Sequence, residues 1–336
     1  MRFQILYCIL LVLIFLNCGT DKPARYRKIS GFTQGTTFHI TYEDKAAMEL
    51  SGQIDSIFKA FDLTFSGYIP NSIVSRINNN DSTVVLNDQF IEVYNKSVEI
   101  NKETHGAFDL TVGPLVSAWG FGPEKKAIID SSKIDSLLQY VGMEKIHLKG
   151  RKLIKGLPGI KIDLNSIAQG YSVDVIYRYF EELGIKNFMV EIGGEVRTKG
   201  KNPDGNLWRI GVDKPGDGSI PMGENLQTII LLDNKSATTS GNYRKFFEKN
   251  GRKYSHIIDP HTGYPYDNNL LSVTIIAKDG LTADGYDTPL MVLGLEKARV
   301  FLKSHPELEA YMIYSDENGQ LQVEFTKGIQ FDKVNR

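Results

Sequence analysis

Two segments in the C-terminal half of the chain carry residue types suited to metal-assisted proton transfer. In ADGYDT, Ala283 to Thr288, Asp284 and Thr288 stand four apart with Asp287 between them, so on a helix their oxygens project from one face. Clustered oxygens of that kind suit a hard cation such as Mg2+, with Mn2+ as an alternative. Upstream, Thr239 to Pro265 reads TSGNYRKFFEKNGRKYSHIIDPHTGYP. Asn250-Gly251, flanked by FF and YSHII, is a hairpin signal that delivers His256 and Asp259 to the end of a strand. A histidine beside metal-binding carboxylates points to proton-transfer chemistry.

The elements that position these residues follow from periodicity and turn chemistry. Ala46 to Phe61 has Ile54, Ile57, Phe58 and Phe61 at helical spacing. Asn71 or Ser72 caps a short helix leading to Arg76, and Asn87 caps a longer one running to about Lys102. Further helices are expected at Ser131 to Tyr140, Ile167 to Leu183 and Thr282 to Lys303. Strands are expected at Thr36 to Tyr42, within Lys145 to Asp163 around a Lys-Gly turn, and at Phe188 to Ile192, Trp208 to Val212, Gln227 to Leu232, Leu270 to Ala277, Glu309 to Tyr314 and Leu321 to Phe325. Gly193 and Gly194, before Glu195, form a tight turn. Trp119 and Phe121 read as core, His261 as surface, and Asp259 either shapes the turn after Pro260 or acts directly. Helices cluster early and strands late, which predicts an α+β fold of mixed, largely antiparallel sheets flanked by helices.

The 336 residues are 41% hydrophobic and 24% charged with a formal net charge of -1, an ordinary globular composition without the basic excess that nucleic acid would require. The two cysteines are Cys8 and Cys18, so the body has neither a disulfide framework nor a thiolate zinc site. Arg2 precedes an apolar run from Ile5 to Leu16, shorter than the roughly twenty residues a membrane-spanning helix needs. The run ends in Phe-Leu-Asn-Cys-Gly, which is similar to a bacterial lipoprotein cleavage site. The expected organisation is a signal peptide over 1–17, a polar linker over 18–28 that starts at a lipidated Cys18, and a body over 29–336 that faces the periplasm or the cell exterior.

Six segments, in order, resemble the ApbE family of FAD:protein FMN transferases: QGTTFHITY (34–42), FSGYIPNSIVSRIN (65–78), THGAFDLTVGPLVSAWGFG (104–122), KIDLNSIAQGYSVD (161–174), EIGGEVRTKG (191–200) and the TSGNYR to GYP plus ADGYDT pair. The resemblance implies a cleft between two interlocked lobes. It also implies an exported enzyme that uses Mg2+ to split FAD and joins FMN to a threonine of a partner protein, for example a subunit of a membrane redox complex, releasing AMP. The implied metal ligands are the side chains of Asp284, Asp287 and Thr288 with the backbone carbonyl of Ala168, and the implied base is His256. Tyr68 corresponds to the aromatic that stacks on the flavin, and Gln34, Ala107, Phe108, Asp109, Asn165 and Ile258 to cofactor-binding positions, with Asp109 able to accept hydrogen bonds from ribose or adenine. Gly106 and Gly113 are expected to let the backbone approach the ligand. Gln169 departs from the family, standing where relatives carry a lysine. Two alternatives share these residues: a hydrolase that splits FAD into FMN and AMP, and a periplasmic lipoprotein that only binds flavin.

Overall fold

The computed structural model describes residues 25–44, 47–122, 131–216, 223–242, 246–249 and 252–332. The expected signal peptide, Cys18 and the Asn250-Gly251 turn lie outside them. Among the described residues there are fifteen strands, of which β1 (Tyr26–Thr33), β2 (Thr36–Glu43), β5 (Phe188–Ile192), β6 (Glu195–Lys199), β9 (Ser236–Gly241), β12 (Leu270–Ala277), β13 (Glu309–Ser315) and β14 (Leu321–Phe325) build the main sheet. They form one eight-stranded sheet in the order β1-β2-β5-β6-β9-β12-β13-β14, and every neighbouring pair is antiparallel. The fold is α+β, as the element pattern predicts.

Two helices cover one face of the sheet: α6 (Ala168–Glu182) and α7 (Gly280–Ser304). The inward faces of α6 and β5 meet in a cluster that includes Phe180, Ile176, Phe188 and Val190. On the opposite face, a three-stranded sheet of β7 (Trp208–Asp213), β8 (Leu226–Leu232) and β15 (Gln330–Phe331) packs Val212, Ile230 and Leu232 against Val196, Ala237 and Ile313. Burial on both faces explains why β12 is almost continuously apolar, LLSVTIIA, instead of alternating.

The early helices bracket the entrance to the site. Helix α1 (Ser51–Phe65) buries Ile54, Phe58, Phe61 and Phe65, one stripe at helical spacing. Ser72 accepts a hydrogen bond from Ser75 N at 3.0 Å and caps α2 (Ile73–Asn78), and Asn87 accepts from Phe90 N at 2.9 Å to cap α3 (Asp88–Glu103); each such cap is worth about 1 kcal/mol. Helices α4 (Gly113–Ala118) and α5 (Ser131–Leu138) enclose a satellite core of Leu115, Trp119, Ile134 and Ile258. The short hairpin of β3 (Ile146–Lys149) and β4 (Lys152–Lys155) turns at Gly150.

One boundary differs from the expectation. The polar segment ending at Lys28 is not wholly a linker, because Tyr26 to Thr33 pairs along its length with β2. Strand β1 is a sheet edge with little apolar alternation, so main-chain hydrogen bonds and the Arg27–Asp44 ion pair hold it where side-chain burial does not.

Candidate active site

Segment 161–170 joins two halves of a site. Lys161, Asp163 and Asn165 line a cavity together with Phe65, Tyr68 and Asn78. The Asn78 amide donates to the Ile162 carbonyl at 2.9 Å and accepts from Ile162 N at 2.7 Å, so α2 fixes the cavity floor through both hydrogen-bonding groups of one residue. Tyr68 is 62% exposed, with its ring open to a planar ligand, and burial together with the Asp163 charge pushes its phenol pKa up. Asn165 folds back on Asp163, donating from its backbone at 2.8 Å.

Beyond Asn165 the chain enters α6 at Ala168, and Gly170 N donates to Asp284 Oδ2 at 2.7 Å. The start of α6 therefore lies against the acidic face of α7, which brings the Ala168 end of one helix to Asp284 of the other. Asp284 and Asp287 are 4% and 2% exposed. The Thr288 hydroxyl donates to Asp287 Oδ1 at 3.1 Å and lies 3.1 Å from the Ser240 hydroxyl on β9. Asp287 thus bonds Thr288 directly and lies close enough to Asp284 to feel its charge.

Glu195, the first residue of β6, lies close enough to feel the charges of Asp284 and Asp287, although the sequence marks it only as following the Gly193-Gly194 turn. That turn has φ of 65° and 110°, so its glycines aim the strand end, and the Glu195 Oε2 atom is buried without a hydrogen-bond partner. Burial first, then the charges of Asp284 and Asp287, hold the Glu195 carboxyl well above the usual range. Burial, then Asp284, does the same to Asp287, and burial raises Asp284 to about 7 against the opposing hydrogen bond from Gly170. Among the described residues no three His, Cys, Asp or Glu side chains converge as a metal cage by themselves. A divalent cation here would draw on two carboxylates with hydroxyl and carbonyl oxygen, a donor set that fits Mg2+.

This electrostatic frustration has a measurable signature. Between the ordinary carboxyl range and about 7, the folded metal-free protein keeps a proton on Asp284 that the unfolded chain has released, so stability falls as pH rises through that window. Urea denaturation in the presence of a chelator is expected to show a less stable protein at pH 8 than at pH 5. The difference is expected to shrink in Asp284→Asn and on adding Mg2+ to the wild type.

His256 follows β11 (Arg252–Ser255), the second strand of the hairpin with β10 (Phe246–Lys249). It is partly exposed, with its ring edge-on to Phe121 at 6.2 Å. Asp259 shapes the turn that follows: its N–H bonds the Tyr264 carbonyl, and its Oδ1 accepts from His261 N at 2.9 Å. His261 is on the surface, yet its Nε2 lies 2.9 Å from the His105 carbonyl oxygen and ties this turn to the segment before Ala107.

Several residues expected at the cofactor also make contacts within the protein. Phe108 is 2% exposed in the main core, and Ala107 is buried beside it. Asp109 turns its carboxylate inward, Oδ1 accepting from Thr111 N at 2.7 Å and Oδ2 from Met143 N at 3.0 Å, so it organises its own loop. Ile258 packs in the satellite core. Gly113 lines the same cavity as Tyr68 and Lys161 and packs closely on Lys161, whose carbonyl oxygen would lie 2.6 Å from an added Cβ. Gly106, at φ 85°, sits beneath His261. Gln34 occupies the β1–β2 turn with Gly35, both at positive φ (52° and 78°), and its Nε2 is buried without a partner. Trp119 is core, donating from Nε1 to the Gly263 carbonyl at 2.8 Å.

Comparison with known proteins places this geometry. The ApbE family profile matches residues 34–312. A FAD:protein FMN transferase of Haemophilus influenzae is 38% identical over 314 residues, covering 89% of each chain, and one of Vibrio cholerae is 37% identical, covering 93% of this chain and 95% of its own. The solved flavin transferase ApbE from Vibrio cholerae superimposes with a TM-score of 0.82 at 35% identity, over 91% of this chain and 98% of that one. The chain belongs to the ApbE family.

Proposed function

We infer that this protein transfers the FMN half of FAD to a protein acceptor, and that Asp284, Asp287, Thr288 and the Ala168 carbonyl hold Mg2+ for the reaction. The observation that carries the cation is the buried convergence of Asp284 and Asp287 with Glu195 Oε2 left unpartnered, a grouping that folding alone disfavours. The acceptor side chain is a threonine hydroxyl, and Mn2+ is the expected substitute metal.

Tyr68 stacks on the flavin at the mouth of the cavity, and the 161–170 segment carries the ligand from there towards α7. When bound, the cation neutralises the diphosphate, whose charge otherwise repels a nucleophile. The threonine Oγ forms a bond to the FMN phosphorus and its proton passes to His256. The bond from that phosphorus to the bridging oxygen breaks, and AMP departs with the electron pair. Buried acidic residues suited to a cation and a histidine suited to take a proton favour transfer over storage, since binding alone needs no base. Incubation with FAD, Mg2+ and a purified threonine-bearing acceptor is expected to give a covalently fluorescent acceptor and stoichiometric AMP. AMP without labelled acceptor at every acceptor concentration would instead indicate hydrolysis.

We propose further that Cys18 is lipidated and holds the catalytic body at a bacterial membrane, outside the cytoplasm. Among the described residues no helix is long and apolar enough to cross a membrane. Cys18→Ser is expected to move the protein from the membrane to the soluble fraction, and unchanged membrane fractionation would point to another attachment.

A further inference from the structure

Helices α6 and α7 cross at two glycines, and the contact is reciprocal. A Cβ on Gly170 would lie 2.3 Å from the Gly280 carbonyl oxygen, and one on Gly280 would lie 2.1 Å from the Gly170 oxygen. Four residues after each glycine stands an aspartate, in GYSVD (170–174) and GLTAD (280–284), and each reaches the first turn of the other helix. Asp284 accepts from Gly170 N. Asp174 accepts from Gly280 N through Oδ1 and from Leu281 N through Oδ2, both at 2.8 Å. Asp279 accepts from Thr282 N at 2.8 Å, and its carbonyl from Ala283 N, so the four amides that begin α7 all have partners.

The two aspartates differ in one respect. Asp174, fully buried, is ion-paired with Arg197 on β6, whose guanidinium lies 3.9 Å over the Tyr177 ring. Among the described residues no Lys or Arg pairs with Asp284. One member of the pair is neutralised by the protein, and the other is left for an added cation.

We propose that Asp174, held by Arg197, is a positioning residue for the metal site: it fixes the register of α7 against α6 and so sets the distance between Asp284 and the Ala168 end of α6. It touches neither substrate nor metal. This rests on the reading of Asp284, Asp287 and Thr288 as cation ligands. Groups that orient ligands from behind commonly change metal affinity by about 10- to 100-fold when lost. A small shift of α7 moves all three α7 ligands together, so the effect falls on the cation before it falls on flavin.

The test is Mn2+ binding to the metal-free protein, followed by electron paramagnetic resonance, for the wild type, Asp174→Asn, Asp174→Ala and Arg197→Lys. FAD affinity in chelator is measured in parallel by fluorescence quenching. Asp174→Ala is expected to weaken Mn2+ binding at least about tenfold, and Asp174→Asn by less, because its one carbonyl oxygen retains part of the cap. FAD affinity without metal is expected to stay within about twofold, and FMN transfer to recover towards wild type as Mg2+ is raised. If Asp174→Ala fails to fold, Asp174→Asn and Arg197→Lys decide the matter by the same comparison. Variants that melt lower yet bind Mn2+ as the wild type does would overturn the positioning role and leave Asp174 purely structural. A wild type that binds no Mn2+ would overturn the cation reading itself.

Discussion

Asp284→Asn is expected to lower FMN transfer by roughly a thousandfold at any Mg2+ concentration, the scale of losing several kcal/mol of charge stabilisation at the phosphorus. The substitution is nearly isosteric, and its carbonyl oxygen can still accept from Gly170 N, so the packing of α6 on α7 survives. The same change removes one of the charges that Glu195 and Asp287 oppose. The variant is therefore expected to melt higher than the wild type when both are metal-free, and to gain little from added Mg2+. Transfer kinetics across a Mg2+ titration, paired with thermal denaturation in chelator, measure both effects. Wild-type turnover in the variant at limiting Mg2+ would remove Asp284 from the ligand set.

His256→Ala is expected to slow transfer by about a hundredfold or more, the usual worth of a general base. If the proton moves only as phosphorus is attacked, the loss falls on the barrier and spares the ground-state complex. FAD affinity is expected to stay close to wild type, because the surface proposed to bind it is Tyr68 and the 161–165 wall, apart from His256. Raising pH is expected to restore part of the rate as hydroxide substitutes for the base. Single-turnover transfer at saturating FAD, set beside fluorescence quenching, separates the two quantities. An intact rate with collapsed affinity would make His256 a binding residue.

The parts of this site legible in the sequence are those whose geometry is local. Asp284, Asp287 and Thr288 lie within about one turn of helix, so spacing alone places their oxygens together. The hairpin before His256 announces itself by Asn-Gly, and the capped helices at Ser72 and Asn87 by their first residues. The partners that give the site its electrostatics are not local. Glu195 reaches Asp284 only because β6 lies beneath α7 in the sheet, and Asp174 meets Gly280 across 106 residues. One faint signal was present, the paired Gly-x-x-x-Asp of α6 and α7, but its meaning depends on knowing that the two helices touch. The family motif marks Asp109 as part of a cofactor-facing loop, while the bonds its carboxylate makes to Thr111 N and Met143 N inside the protein depend on a contact across 34 residues that no local pattern announces. Tyr26 to Lys28 resembles linker in the sequence because an edge strand held by its backbone lacks the alternation that reveals a buried one.

That edge strand also bears on where the enzyme can work. Strand β1 begins at Tyr26, eight residues after Cys18, and a chain of that length reaches at most about 28 Å when fully drawn out. This is roughly half the breadth of a folded body of this size. With an acyl group on Cys18, the leash is too short for the catalytic body to leave the bilayer surface or roam through the surrounding compartment. Its working radius becomes a thin layer of water next to the lipid headgroups. On the proposed anchoring, acceptor hydroxyls held in that layer, on membrane-bound partners that diffuse in the same plane, would meet the enzyme by two-dimensional search, while soluble acceptors would have to come to the surface to be labelled.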